Sequence, residues 1–305
     1  MRAVLTGGLA TLAVTSVVAY AIAYPQAAPA AAAVRTLADC AAVGSLGFAI
    51  VPALEVGRRR AELAATAAGP LIAVSAAWLV AELVRQVLAA ADTAALPPLG
   101  VPVRTVLGFT VQTVAGRAGL LSVCTAAVVC AIAVSGRRSE PLAVTAAGAA
   151  AVGIAARAVS GHLSESRWGA IVVALHALAA AAWCGVLVAL TVTVTHRGQW
   201  ARMLPRFSQM ALVCVIVLLT SGLAGAVLAA GAPAQWYASG YGRVLIAKVV
   251  LAIGLVVLAW RNRTVWLPAA RRHQASAGLS QSRSATELVL MIAALTLAAA
   301  LAVTG

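Results

Sequence analysis

Long apolar runs separated by short polar segments make up most of this chain of 305 residues. An α-helix needs ~20 apolar residues to cross a bilayer, and nine of the runs are long enough. Residues 101–115 are less apolar, lie beside three prolines and are too short to span, so we expect an interfacial or re-entrant segment there. The nine predicted spans are residues 4–23, 34–54, 66–90, 116–134, 141–160, 168–194, 207–230, 242–260 and 285–304.

The composition agrees with this pattern. Apolar residues make up 63% of the chain and charged residues 10%, against about 45–50% and about 25% in soluble domains. This excludes a soluble globular protein, a disordered chain and a disulfide scaffold. A transmembrane β-barrel would instead show alternating segments of ~10 residues. We therefore predict an all-α polytopic transmembrane helical bundle, a single membrane domain over residues 1–305 that contacts the lipid bilayer.

Arginines alternate from loop to loop along the predicted spans. Most of the 22 basic residues lie at the N-terminus or in every second loop. The positive-inside rule then places the N-terminus in the cytoplasm and Gly305 outside. The first span is longer than the core of a signal peptide, so we expect it to be retained, with cleavage as the alternative. The bias rests on Arg2, Arg58–Arg60, Arg137, Arg138, Arg197, Arg202, Arg206, Arg261, Arg263, Arg271, Arg272 and Arg283.

Several ionisable residues lie within the predicted spans, where each is a candidate functional residue because charge at that depth is costly. With the predicted topology, only Glu287 lies near the inner face, so we predict a polar pocket that opens to the extracytoplasmic side. Ion pairing within the bundle is the structural alternative, joining Glu82 to Arg85 and Asp39 to Arg157 or Lys248. The residues of the outer half are Asp39, Glu82, Arg85, Arg157, His176 and Lys248.

Two of the four histidines, His162 and His176, flank one short external turn. Imidazole is a ligand for copper, zinc, iron and nickel, so both are candidate metal ligands. They lie at different depths in the membrane. Two separate metal positions along one path are therefore an alternative to a single site that both histidines share. For His176 a helix–helix hydrogen bond is the alternative. Trp183 shares a helix face with His176, and the expected supporting residues are Asp39, Glu82, Trp183, Cys184, Tyr241 and Lys248.

Lys248 lies seven residues after Tyr241, so both occupy one face of the eighth span. An unpaired ammonium at this depth is costly. We therefore expect Lys248 to point into the bundle and to pair with Asp39 or Glu82. One of these acids is also expected to hold the second ring nitrogen of His176.

Residues 160–305 carry a series of short motifs that resemble the copper resistance protein D (CopD) family of bacterial inner-membrane proteins. In that family a glycine usually follows the tryptophan of the histidine-containing helix, where this chain has Cys184. The motifs are Ser160-Gly161-His162, Leu175–Gly185 with His176 and Trp183, Arg206-Phe207-Ser208, Ser221-Gly222, Tyr241-Gly242-Arg243 with Lys248, Arg261-Asn262-Arg263, and Ser284–Glu287.

This resemblance implies copper handling in the bacterial cytoplasmic membrane: transport across it, or delivery to periplasmic copper carriers and cuproproteins. The copper ion is then the bound metal. The four methionines form no M-x-x-M pattern, so imidazole with carboxylate or thiol is the expected chemistry. A haem- or quinone-associated membrane protein and a structural membrane scaffold remain the alternatives.

Catalysis is not expected from the sequence. The chain contains no G-x-S-x-G, no H-E-x-x-H and no P-loop, so we expect neither an enzyme nor a nucleotide site. The net charge of +14 could suggest a nucleic-acid partner. However, the arginines lie in short loops rather than in a basic stripe interleaved with aromatic residues, so we expect no nucleic acid to bind.

Overall fold

The computed structural model describes residues 2–24, 29–160, 167–228, 239–271 and 276–304. All regular secondary structure within these ranges is helical, and helices are numbered here in chain order. They are α1 Arg2–Ala23, α2 Pro29–Ile50, α3 Arg58–Thr93, α4 Val103–Gln112, α5 Val114–Val134, α6 Glu140–Ala158, α7 Arg167–Thr193, α8 Arg197–Leu228, α9 Gly240–Arg261, α10 Leu267–Arg271 and α11 Ala277–Thr304.

Eight of these helices (α2, α3, α5, α6, α7, α8, α9 and α11) are long and apolar enough to cross a membrane. The first predicted span forms helix α1. Among its described residues, the apolar stretch Ala13–Ile22 is shorter than a membrane span. Many large apolar side chains point outward, including Leu223, Val250 and Ile253. Such a surface is stable only against lipid. The predicted class, an all-α polytopic membrane protein in contact with the bilayer, is confirmed.

The short segment after the third span forms a helix of its own. Helix α4 is 10 residues long and ends at Gln112. The next residue, Thr113, has a side-chain oxygen that accepts a hydrogen bond from the Gly116 backbone N–H at 2.8 Å. Thr113 thereby caps the start of α5, because its side chain satisfies one of the free N–H groups of the new helix. The prediction of a separate, non-spanning segment there is correct.

Helix α2 lies at the centre of the bundle, in contact with α3, α6, α7 and α11. Its crossing with α7 is so close that a Cβ atom on Gly47 would lie 1.9 Å from the carbonyl oxygen of Gly185. A Cβ on Gly185 would lie 2.2 Å from the Val43 carbonyl oxygen. Small residues allow two membrane helices to approach in this way, and the contact joins the two halves of the chain.

Contacts between loop regions follow the predicted sides of the membrane. Arg60 and Glu140, both predicted on the cytoplasmic side, form an ion pair at 2.9 Å. Arg243, predicted outside at the start of α9, donates from Nε to the Ile22 carbonyl oxygen at the end of α1 at 3.0 Å. These contacts agree with the predicted division of the loops into two groups. Which group faces the cytoplasm stays a prediction.

Candidate functional site

Glu82 forms the centre of a buried ion cluster in the outer half predicted for the bundle. Its side chain is 1% exposed and accepts from Arg157 Nε at 2.8 Å, with a second contact from Nη2 of the same guanidinium. Arg85, three residues further along α3, lies 3.5 Å from the other carboxylate oxygen. The predicted Glu82–Arg85 pair is therefore present, and Arg157 adds a partner from α6.

Asp39 on α2 completes the ion cluster. Arg35 Nε and Arg85 Nη1 each lie 3.8 Å from one of its carboxylate oxygens. The alternative in which Asp39 forms an ion pair with Arg157 or Lys248 is not seen among the described residues, since Arg35 is one helical turn away and Arg85 faces Asp39 from α3. We use the term ion cluster for Arg35, Asp39, Glu82, Arg85 and Arg157.

Gln86, a buried residue one position after Arg85 that the sequence did not mark, joins α3 to α4 and α5. Its Nε2 donates to the Gly116 carbonyl oxygen at 3.0 Å and lies 3.4 Å from Thr110 Oγ1 on α4. A Cβ on Gly119 would lie 2.8 Å from Arg157 Nη1. The glycine thus leaves the space that the Arg157 guanidinium occupies, while Gln86 holds α4 against the end of the cluster.

His176 on α7 is held by α8 rather than by a carboxylate. Its Nδ1 lies 3.0 Å from Ser221 Oγ. The Ser221 hydroxyl in turn points at the backbone carbonyls of Val217 and Leu218, at 2.5 and 3.3 Å. Because that hydroxyl has one proton and two carbonyl oxygens within reach, the arrangement favours Ser221 Oγ as the acceptor of a proton on Nδ1. The expectation that Asp39 or Glu82 holds this ring is wrong.

This arrangement favours the tautomer of His176 that carries its proton on Nδ1. With the proton on Nδ1, a neutral imidazole carries its lone pair on Nε2, the atom that can bind a metal. Gly222, which follows Ser221, leaves room beside the ring: a Cβ there would lie 3.7 Å from His176 Cε1. Sequence reasoning noted the Ser221-Gly222 pair only as a family motif.

Lys248 is the single lysine of the chain and is half-buried on α9. It lies close enough to His176 to interact with it electrostatically. Among the described residues it pairs with no carboxylate, so the expected pairing with Asp39 or Glu82 is wrong. Those two acids are already taken by arginines from α2, α3 and α6.

Glu287 lies at a second polar position, towards the predicted inner face. It is 3% exposed, and its Oε2 accepts from Asn262 Nδ2 at 2.9 Å. Asn262 opens a π-helical turn that ends at Trp266, a type of irregularity frequent at functional sites. Trp183 and Cys184 are buried on α7, and Trp183 lines one cavity with Glu287.

Tyr241 and His162 are the two remaining residues of the predicted site. Tyr241 packs against an apolar cluster that α1, α9 and α11 form with Ala19, Val244 and Leu297. His162 lies outside the described residues. In the part of the chain that the structure describes, no group of three or more His, Cys, Asp or Glu side chains is arranged to hold a metal ion. The metal-binding roles of His176 and His162 thus stay predictions.

The helices and buried polar residues define a polytopic α-helical membrane protein with charged and imidazole groups inside its bundle. Residues 201–302 match the model of the family described as "Copper resistance protein D". The resemblance noted from short motifs is therefore confirmed over this segment.

One curated relative is the "Inner membrane protein YebZ" of Escherichia coli (strain K12), which is 34% identical over 106 residues. The match covers 33% of this chain and 36% of YebZ, so the chain spans about a third of that relative's length. No solved structure matches the chain. The predicted localisation, a multi-pass protein of the bacterial inner membrane, agrees with this relative and with the eight spans.

Proposed function

We propose that this protein transports copper across the bacterial cytoplasmic membrane or delivers it there, through an outward-facing polar pocket with His176 as its central ligand. The observation that carries the proposal is the His176–Ser221 contact of 3.0 Å, which leaves the Nε2 lone pair for a metal. The similarity of residues 201–302 to the copper-resistance family supplies the identity of the metal.

The role of Ser221 is that of a residue which orients a metal ligand. Metal-binding histidines almost always donate their other ring N–H to a neighbouring oxygen, which fixes the ring and raises its basicity. Imidazole is a suitable ligand for copper, whether the other ligands are carboxylates or thiols. His162 is proposed as a second ligand or as an entry point, and periplasmic copper carriers or cuproproteins as the partners that exchange copper with the pocket.

The proposal requires that His176 lies nearer the outer face. This follows from the predicted topology, with Arg58–Arg60 in the cytoplasm and Gly305 outside. Reporter fusions test it: a periplasm-active reporter at Gly305 should be active, and one just before Arg58 inactive. The reverse result would place the histidine nearer the cytoplasm and would contradict an outward-facing pocket.

The test of function is copper accumulation in cells that express matched membrane levels of each variant. His176→Ala should remove most of the copper-dependent change, and His162→Ala should lower it by a smaller amount. His196→Ala is the control, because His196 is exposed at the start of α8 and should behave as the parent. A His176→Ala protein that handles copper normally would overturn the proposal and leave a helix–helix hydrogen bond as the role of His176.

Metal analysis of the purified protein separates the alternatives. Copper bound by the parent and lost from His176→Ala supports the proposed pocket. A Soret absorption band in place of copper would instead identify a haem protein. Neither copper nor haem, with normal stability of His176→Ala, would indicate a structural membrane protein.

A further inference from the structure

A cavity between α8, α9 and α11, towards the predicted inner face, is not used by the copper pocket. The cavity has a volume of about 90 Å³ and is open on one side. Four of its lining residues are aromatic: Trp183, Phe207, Trp260 and Trp266. Aromatic side chains at this density favour an occupant with a flat ring, since offset and edge-to-face ring pairs are each worth about 0.5–1.5 kcal/mol beyond burial.

The deep end of the cavity is polar. Glu287 lies there with one hydrogen bond, from Asn262, and no cation pairs with it among the described residues. The Trp183 indole is close enough to interact with the carboxylate, yet its buried Nε1 completes no hydrogen bond of normal geometry. The Glu287 carboxylate thus has one hydrogen bond of normal geometry and Trp183 Nε1 has none, so each group can take a further polar partner.

The cavity opens to the outside of the helix bundle. Helix α8 packs mainly on α7, and α9 on α1 and α11, while α10 closes the end by packing on α8. Trp260, at the mouth, is 65% exposed. Arg263 is fixed at the rim by Ser208, whose Oγ and carbonyl oxygen accept from its Nη1 at 2.8 and 2.9 Å. An occupant can therefore enter from the membrane, with an apolar tail left between α8 and α9.

We propose that this cavity binds a membrane-soluble hydroxy-aromatic molecule of the quinol class. Its ring lies among the four aromatic side chains. One hydroxyl accepts from Trp183 Nε1 and donates to the Glu287 carboxylate, which completes both groups at once. An acyl chain satisfies neither group, and a methyl ether, whose oxygen accepts but cannot donate, satisfies only Trp183.

Binding of a tritiated decyl benzoquinol to the detergent-purified protein, measured anaerobically and without metal, tests the inference. The dimethyl ether of the same compound keeps the ring and tail but has no O–H donor. We expect it to bind about tenfold more weakly, as does the quinol to Trp183→Phe or Glu287→Met, each of which removes one hydrogen bond to a charged or buried partner. Trp183→Phe keeps a ring at its position and guards against a folding defect.

Glu62→Gln is the control, because Glu62 is an exposed residue of α3 and its change should leave the affinity unaltered. Equal binding of the quinol and its ether would overturn the inference and indicate a lipid chain in the cavity. Unaltered binding by Trp183→Phe and Glu287→Met would do the same. Because the assay contains no copper, its result is independent of the proposed transport.

Discussion

The two halves of the chain treat charge inside the membrane differently. In the first half, the ion cluster brings together side chains from α2, α3 and α6, with three guanidinium groups around two carboxylates. In the second half, His176, Lys248 and Glu287 lie on three separate helices, and none forms an ion pair within the described residues. Charges in the first half are largely neutralised by their neighbours, and those in the second are not.

This difference separates structural from functional polar residues. A neutralised cluster fixes which helices meet, and removal of one member leaves a costly buried charge. Polar groups without ionic partners remain available to a ligand, and intramembrane residues of that kind mark substrate or ion pathways. The match to the copper-resistance family, residues 201–302, falls in the second half, which agrees with this division.

The strongest test of the structural half is Glu82→Gln. It leaves Arg157 and Arg85 without their carboxylate, so we expect the free energy of unfolding to fall by about 3–5 kcal/mol, measured by thermal and chemical unfolding in detergent. Glu62→Gln on the same helix breaks only an exposed pair with Arg58 and should change it by less than about 1 kcal/mol. Equal effects of the two variants would remove the distinction between the halves.

The junction between the halves is tested by Gly47→Ala. The new methyl group would overlap the Gly185 backbone, so α2 and α7 must move apart, with an expected loss of about 1–3 kcal/mol in unfolding free energy. Gly69→Ala is the control, since nothing lies within 4 Å of a Cβ there. It should be neutral or slightly stabilising because alanine favours helix. A neutral Gly47→Ala would mean that the two helices are not in contact.

Ser221→Ala tests the functional half with a smaller effect. Loss of the acceptor for Nδ1–H frees the His176 ring, and we expect copper affinity to fall about tenfold while the unfolding temperature hardly changes. Thr220→Ala is the adjacent control, because the Thr220 hydroxyl bonds only to its own helix. Copper titration of both purified variants decides the matter: equal affinities would contradict a role for Ser221 in orienting the imidazole.

Lys248→Met carries the smallest expected effect and has the opposite sign. Removal of a positive charge close to His176 should strengthen binding of a copper cation, by about threefold for a partly screened charge. Lys248→Arg keeps the charge and should leave the affinity as in the parent. Because Lys248 pairs with no described carboxylate, the stability of Lys248→Met should equal that of the parent. A marked loss of stability in this variant would instead support the ion pair predicted from the sequence.

The sequence pattern predicted the membrane helices well but some of their ends poorly. Helix α3 begins at Arg58 rather than near residue 66, and α8 begins at Arg197 rather than near 207, each with a proline inside. Apolarity marks where a helix lies in lipid, whereas its extension into the polar loops depends on neighbours. The Arg206 guanidinium, for example, donates to the Leu54 carbonyl oxygen, a contact between segments far apart in sequence.

The polar sites were predictable only where the partners are close in sequence. The spacing of Glu82 and Arg85 predicted their contact, while Arg157 reaches Glu82 from α6 across 75 positions. Neutral partners such as Gln86, Ser221 and Asn262 were missed as contacts, because their side chains carry no distinctive signal until the facing helix is known. The π-helical turn at Asn262–Trp266 likewise has no sequence pattern of its own.

The close crossing of Gly47 and Gly185 has a consequence for biosynthesis. The glycine face of α2 leaves the ribosome about 140 residues before its partner on α7, which at about 5–20 residues per second is roughly 7–28 s. During this interval α3 and α6 can already assemble with α2 through the ion cluster, but the glycine face remains uncovered. We therefore expect α7 to dock against α2 as a late step of assembly.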